Sequence, residues 1–340
     1  MYIVRPVKRS DLGQLYGLAK IAKAGLTTLP CDKKLLRARI NESLHGFAKN
    51  VSRPRGEVYQ FVMEDTVTGK VVGTCSIISR VGVKAPFYTY QIKTAHMESK
   101  TLKVKKTTRY LQLKIIRNGP TEIGTLFLKT SARKQNRGRL LAFSRYLFMA
   151  QYRERFADRV IAELRGVIND KGRSPFWNAV CKHFFVVEFK KADLMVMRDK
   201  SFIADLIPKH PIYIPILPLS AQEVIGQVHE STVPALKLLQ EEGFDYVPEI
   251  DIFEAGPTLA VRLGHIRTVR KSRTARVRAI VNRIEAPTEY LVANVDAYQA
   301  FRVTKDKILI SARGVTITQQ TARALDLKAG QKVRYVKVKG

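Results

Sequence analysis

An α+β fold is the expectation from the sequence, on three observations. Segments with alternating apolar residues, the period of a half-buried strand, are interspersed with segments whose apolar residues recur every three or four positions, the period of an amphipathic helix. Polar turn residues separate some neighbouring strand-like runs closely enough for antiparallel hairpins. Beyond about residue 260 the helical spacing gives way to short strands with polar turns. Helices set apart from a partly antiparallel sheet define the α+β class. The change in texture divides the chain into a larger region, 1–258, and a smaller β-rich region, 259–340.

In chain order, residues 2–7 make the first strand, built around Ile3 and Val4. Ser10 or Asp11 is placed to cap a helix in which Leu12, Leu15, Ala19 and Ala22 share a face, with Gly25 as its stop. Residues 58–64 and 70–79 read as a hairpin with its turn at 65–69. Residues 86–116, rich in Tyr, Thr, Val and Ile, add strand material whose register the pattern leaves open. An apolar strand follows at 123–128, then a polar loop at 129–139. Leu140, Phe143, Leu147 and Phe148 mark one face of a helix running toward Phe156. Residues 160–164 return as a strand. Val224, Ile225 and Val228 keep helical spacing after Ser220, as do Leu236, Leu238 and Leu239 up to a stop at Gly243. Residues 246–253 form a strand, Gly256-Pro257 a turn, and the alternating run 332–338 a final half-buried strand.

Bulk properties narrow the function classes. The 340 residues are 45% apolar and 9% aromatic, enough for a substantial core and against disorder. The opening residues lack the apolar run of a signal peptide, and no stretch approaches the roughly 20 apolar residues of a membrane-spanning helix. A cytoplasmic protein without a membrane partner fits. Cys31, Cys75 and Cys181 are far apart and odd in number, so neither a disulfide framework, a metal site nor a permanently bound cofactor is expected. The formal charge of +31, from 60 Lys and Arg against 29 Asp and Glu, is the most unusual property. It fits a nucleic-acid surface, a groove for an anionic cofactor, or a generally basic exterior. No nucleic-acid motif accompanies it, even in the basic run 267–278.

The loop Arg133-Lys-Gln-Asn-Arg-Gly-Arg139 follows a strand and opens a helix. Helix N-termini present unpaired N–H groups and a positive dipole end, a seat for phosphate to which Arg and Lys add charge-assisted bonds. The bland alternative is a solvated basic turn. The loop resembles the pyrophosphate loop of GNAT-type acyltransferases. Arg133 and Gly138 match the first and last positions of that pattern, and Asn136, which tolerates positive φ, stands for its middle glycine.

The whole chain resembles the arginine N-succinyltransferase family. The likeness runs through Ile3-Val-Arg-Pro-Val7, Gly25-Leu-Thr-Thr-Leu-Pro30, Thr125-Leu-Phe-Leu128 and Ala162-Glu-Leu-Arg-Gly-Val-Ile168. It continues through Ser174-Pro-Phe-Trp177, Pro208-Lys-His-Pro-Ile-Tyr213, Val224-Ile-Gly-Gln-Val-His229, Gly256-Pro-Thr-Leu259, Arg270-Lys-Ser-Arg273 and Leu291-Val-Ala-Asn294. The resemblance implies a GNAT-like acyl-CoA N-acyltransferase fold with a smaller β-rich C-terminal region. It also implies succinyl-CoA as co-substrate, L-arginine as acceptor, and CoA and N2-succinyl-L-arginine as products. The family's proton donor falls on His229 and its succinyl-CoA contact on Leu126. Because the family includes paired subunits that use arginine or ornithine, either a homo-oligomer or a heteromer with a paralogous subunit is expected.

The residues fit that chemistry. A histidine titrates near neutrality and can take a proton from the amine or return one to the departing thiolate, although a histidine in a helical segment is more often structural. Peptide groups of Leu126, Phe127 and Leu128 on a splayed strand can pair with an extended amide such as pantetheine or polarise a thioester carbonyl. An ordinary central strand would read the same. Glu163, Asp251 and Glu254 are candidates for the acceptor guanidinium, each equally suited to a structural ion pair. Arg165 suits the donor's carboxylate or a salt bridge; His210, between two prolines, reads as architectural. Two other functions compete: a succinyltransferase for ornithine or another amine, and an inactive basic relative that binds nucleic acid.

Overall fold

A computed structural model describes residues 1–22, 28–169, 172–197, 199–295 and 298–339. The expected helix stop at Gly25 and the family-like residues Leu26 and Thr27 lie outside these. The chain opens with β1 (Tyr2–Pro6), α1 (Leu12–Ala22), α2 (Lys33–Ala48), the hairpin β2 (Val58–Asp65) and β3 (Val71–Ile78), and the long hairpin β4 (Phe87–Ser99) and β5 (Val104–Ile116). Next come β6 (Thr121–Leu128), α3 (Arg137–Gln151) and β7 (Arg159–Glu163). Short elements follow: α4 (Pro175–Ala179), α5 (Lys182–Phe185), α6 (Phe189–Val196), α7 (Ser201–Leu206), β8 (Ile212–Tyr213) and α8 (Leu219–Gln222). Then α9 (Val233–Glu241), β9 (Asp245–Ile250), β10 (Pro257–Arg262) and α10 (Arg267–Lys271) lead into the C-terminal strands. These are β11 (Arg273–Val281), β12 (Glu289–Asn294), β13 (Val303–Lys307), β14 (Leu309–Ser311), β15 (Gly314–Thr318) and β16 (Lys332–Lys337), with α11 (Gln319–Leu325) before the last.

The strands hydrogen-bond in the order β14-β15-β11-β16-β12-β13-β1-β2-β3-β6-β7-β10-β9-β4-β5-β8. Most neighbours are antiparallel; β6 with β7 and β11 with β15 are parallel. The α+β expectation therefore holds. The C-terminal strands extend the same sheet through β13, which pairs with β1 at Ile3↔Thr304 and Val4↔Val303. The expected division at 258/259 falls inside β10, which is paired on both edges, with β7 and with β9.

Helix α3 sits on one face of the sheet and is buried continuously from Leu140 to Met149. A helix buried on every side belongs in the middle of a core; its polar members are satisfied there, Ser144 donating to Leu141 O and Arg145 to Ala142 O. Its Phe148 meets Phe47, Tyr59, Phe61, Tyr152 and Phe301 at ring-centroid distances of 5.0–5.7 Å. Helices α1 and α2 cover the opposite face. Asp32 caps α2, accepting from the N–H groups of Lys34 at 2.7 Å and Leu35 at 3.1 Å. A separate apolar cluster gathers Trp177, Phe185, Phe189 and Phe253 beside Tyr90 and Ile250 of the sheet.

Several local expectations need correction. Neither Ser10 nor Asp11 caps α1: Asp11 is buried and bonds both terminal nitrogens of Arg5, at 2.8 and 2.9 Å. Its carboxylate also accepts from Lys8 N–H at 2.7 Å, closing the short 3-10 turn that precedes the helix. The helix expected through Val228 ends at Gln222. Gly226 sits at φ +75 and its N–H donates to Ala255 O at 2.8 Å, so tertiary backbone bonds replace helical ones. His229 accordingly precedes a helix: its N–H donates to Arg165 O at 2.9 Å, and the chain then turns into α9. The run 251–253, expected as strand, turns back at Asp251, which accepts from Phe253 N–H and Glu254 N–H.

Candidate functional site

The site is organised by the separation of β6 from β7. Their parallel pairing covers only Thr121↔Val160 and Glu122↔Ile161. Beyond these pairs β6 stays with β3, through Ser76↔Gly124, Thr74↔Phe127 and Gly73↔Leu128, while β7 stays with β10. The register on β3 slips by one residue at Thr125, whose φ is +53. A β-branched residue in the left-handed region costs about 1–2 kcal/mol. It is held by a 2.7 Å hydroxyl contact between Thr125 Oγ1 and Ser76 Oγ, both buried. The N–H of Lys129 donates to Val72 O at 2.9 Å. Alternation along an antiparallel pair then directs the peptide groups of Phe127 toward β3 and those of Leu126 toward the gap. Leu128 lies at the end of the gap, and its carbonyl accepts from Arg133 Nε at 3.0 Å.

That bond ties the loop to the strand. Gln135 and Asn136 follow in successive left-handed conformations, φ +54 and +59, and Asn136 caps α3 through its carbonyl, which accepts from Leu140 N–H at 3.1 Å. A Cβ added at Gly138 would meet nothing within 4 Å, so the first turn of α3 faces open space. The loop's arginines have partners: Arg137 lies 4.0 Å over the Tyr2 ring and bonds Gln135, while Arg139 is paired with Glu241. The anion-binding groups on offer are the main-chain N–H groups of the turn.

On the α2 face the gap opens into a cavity of about 770 Å³. The walls come from α2, the segment 80–85, β6, β7, the α6–α7 segment and residues 251–254. Glu163, Asp251 and Glu254, distant in sequence, meet there with Glu122. Burial raises the Glu163 carboxyl well above the usual carboxylate range, and the nearby charges of Asp251 and Glu122 raise it further. Burial also raises Glu122, against the pull of Lys200 and Arg39, and Asp251, against hydrogen bonds from Glu254 and Phe253. Oε1 of Glu163 is shielded from solvent and has no hydrogen-bond partner among the described residues. Glu254 accepts from Gly166 N–H at 3.1 Å and lies 3.8 Å from Arg165, so it helps to shape the wall. The same wall carries Arg39, Arg80, Lys84, Arg165 and Lys200, so the carboxyl cluster sits in a cavity of mixed charge.

His229 does not line the cavity but is joined by its main chain to Arg165, which does. Its Nδ1 lies 2.7 Å from Ser231 Oγ and 3.1 Å from Ser231 N. Those contacts engage Nδ1 and orient the ring. Among the described residues no group of three or more His, Cys, Asp or Glu is arranged to hold a metal ion. Burial raises the Cys75 thiol to about 11, which leaves it inert. His210 contributes nothing to the cavity wall.

Glu122 and Arg39 are among the charged wall residues that sequence reasoning passed over. Glu122 stands one position before the strand expected at 123–128. Arg39 is only 8% exposed on α2, between the buried Leu36 and Ile40. A charge on the core face of a helix was the available signal.

The bulged strand, the parallel neighbour that leaves it, and the loop entering a central helix make the GNAT-like arrangement. Residues 2–268 match the model of the family described as arginine N-succinyltransferase beta subunit, and residues 273–337 that of its C-terminal domain. The chain is similar to the arginine N-succinyltransferase of Escherichia coli strain 55989, with 41% identity covering 99% of this chain and 98% of the relative. The same values describe its similarity to the arginine N-succinyltransferase of Shigella flexneri. Among solved structures, arginine/ornithine succinyltransferase subunit AI from Pseudomonas aeruginosa matches with a TM-score of 0.91 at 33% identity, over 100% of this chain and 99% of that one. By its sequence along nearly the whole length and by its fold, the chain belongs to the arginine N-succinyltransferase beta subunit family.

Proposed function

We propose that this protein transfers the succinyl group of succinyl-CoA to the α-amino group of L-arginine, giving CoA and N2-succinyl-L-arginine. The observation that carries this reading is a cluster of buried carboxyls, Glu122, Glu163 and Asp251, in a cavity that opens onto the gap between β6 and β7 of a strongly basic chain. The positive exterior favours the approach of the polyanionic donor, and the local carboxylates reverse that preference for a cationic acceptor.

In this reading the donor's pyrophosphate rests on the N–H groups at the start of α3, near Asn136 and Gly138. Its amide-bearing arm lies in the gap, pairing with the peptide groups of Leu126 on one side. Glu163 and Glu122 receive the guanidinium; Asp251, held by its own turn, keeps the wall negative, and Glu254 positions Gly166 and Arg165. The α-ammonium loses its proton to water, and the amine attacks the thioester carbonyl. As the tetrahedral intermediate collapses the C–S bond breaks and the C–N bond remains as the amide. The departing thiolate takes a proton from Nε2 of His229, whose Nδ1 is steadied by Ser231, and the ring is restored by the second proton shed from the new amide nitrogen. Succinyl-CoA enters as a co-substrate drawn from the cytoplasm. No described helix is long and apolar enough to cross a membrane.

Thiol release from succinyl-CoA with arginine, with ornithine and without acceptor tests the reading. Release that depends on arginine is the expected result. Equal release without acceptor overturns it, and release with ornithine but not arginine moves the activity to that amine. Polyanion binding with a steep salt dependence and no thiol release would identify the nucleic-acid-binding alternative. Sedimentation of the chain alone and with a paralogous subunit would separate a homo-oligomer from a heteromer.

A further inference from the structure

We infer that Arg39 is the carboxylate-recognition residue of this site, its guanidinium directed at a carboxylate carried by a substrate in the cavity. The inference rests on the succinyl-transfer reading above, in which both the donor's acyl chain and the acceptor bring a carboxylate.

Arg39 lies on the core face of α2 and forms part of the cavity wall. It is 8% exposed, and its Nε and Nη2 atoms are shielded from solvent with no hydrogen-bond partner among the described residues. Buried N–H donors left unpaired are expensive, and more so on a charged group. Other buried arginines of the chain are tied down. Arg5 bonds Asp11 and Glu64; Arg145 bonds the carbonyls of Ala142 and Gly124; Arg155 bonds Tyr59 and the carbonyl of Lys49. The acidic groups around Arg39 do not take up its donors. Glu42 on the same helix is paired with Lys84. Glu42 and Glu122 act on Arg39 only through space, and Glu122 is drawn to Lys200 as well. Two other arginines line the cavity: Arg165 faces Glu254 at 3.8 Å, and Arg80, less buried than Arg39, has one shielded nitrogen, Nε, without a partner among the described residues, against two on Arg39.

A guanidinium offers parallel donors that match a carboxylate in two-point contact, whereas a carbonyl or hydroxyl satisfies only one of them. The occupant that completes Arg39 is therefore a carboxylate. It is either the distal group of a four-carbon acyl chain or the α-carboxylate of the amino-acid acceptor. The same contact explains how the site would reject an uncharged acyl chain of equal length, since that chain leaves the buried donors unmet.

The test compares two matched pairs in the intact enzyme. Succinyl-CoA is set against butyryl-CoA, which has a methyl in place of the carboxylate, and arginine against argininamide. Wild type is expected to prefer the carboxylate in at least one pair by about 10- to 100-fold in kcat/KM, the range of one charge-assisted interaction. In Arg39→Met that preference should collapse for one pair alone, and the pair affected names the source of the carboxylate. The loss should fall mainly on KM for that substrate. Arg39→Lys keeps the charge without the fork and should retain part of the preference. This second variant, with thermal unfolding of both, distinguishes lost recognition from misfolding. Both variants keeping the wild-type ratios would overturn the inference, as would a wild type indifferent to both pairs. A wild type that releases no arginine-dependent thiol from succinyl-CoA fails the reading beneath it, a separate and visible outcome.

Discussion

Replacing Glu163 by Gln tests the carboxyl cluster most directly. The carboxyl is buried beside Asp251 and Glu122, and its Oε1 has no partner among the described residues. The site thus holds a carboxyl that keeps its proton to higher pH than an unfolded chain does. An arriving guanidinium favours the ionised form, so acceptor binding should release a proton. Gln keeps the shape and loses the charge. A hydrogen bond to a charged group contributes about 1.5–3 kcal/mol, and every 1.4 kcal/mol is about tenfold. KM for arginine should therefore rise about 10- to 100-fold while KM for succinyl-CoA stays near its wild-type value. Titration calorimetry in buffers of different ionisation heat should show fewer protons released on arginine binding to E163Q. The raised carboxyl also sets the sign of a stability effect. Its contribution is full below the unfolded glutamate range and is lost as pH rises through the higher folded value. Unliganded wild type should lose stability over that rise, and E163Q should lose less. An arginine KM within twofold of wild type, with unchanged proton release, would refute the placement of the acceptor at Glu163.

Three further outcomes follow from the geometry. His229→Ala should lower kcat by about 10²- to 10⁴-fold, the usual contribution of a positioned proton-transfer group, with thermal unfolding little changed because the ring is only half-buried; unchanged turnover removes the assignment. Gly138→Val should fold, since its Cβ meets only open space, yet raise KM for succinyl-CoA severalfold by crowding the start of α3. Gly256→Ala should destabilise by about 1–3 kcal/mol through overpacking, because its Cβ would lie 2.0 Å from Leu164 O; a denaturant midpoint equal to wild type would contradict that close approach.

The local elements were legible where side-chain period and turn chemistry agreed. The strand–loop–helix unit around residue 135 could be read because apolar runs flank a polar loop, and Asn136 does adopt the left-handed conformation its side chain tolerates. Helix α2 was hidden because Arg39 and Ser43 interrupt its buried stripe of Leu36, Ile40 and Phe47. Segment 220–229 kept helical spacing, but bonds from Gly226 to Ala255 and from His229 to Arg165 lead it out of the helix after Gln222 and through turns. Period alone has no access to such distant partners. The cavity was the least visible feature, since its carboxyl-bearing wall joins residues 122, 163 and 251–254. Glu163, Asp251 and Glu254 could be nominated singly, but only the folded chain shows that Glu122 joins them and that Glu254 already serves Gly166 and Arg165.

The parting of β6 from β7 leaves an unfilled slot in the middle of a long sheet. A ligand lying there acts as a surrogate strand, adding rungs that the polypeptide itself omits. With the donor placed there as proposed, occupancy and rigidity would be linked: the starved enzyme should exchange its amides fastest around Leu126, and the saturated one should melt higher.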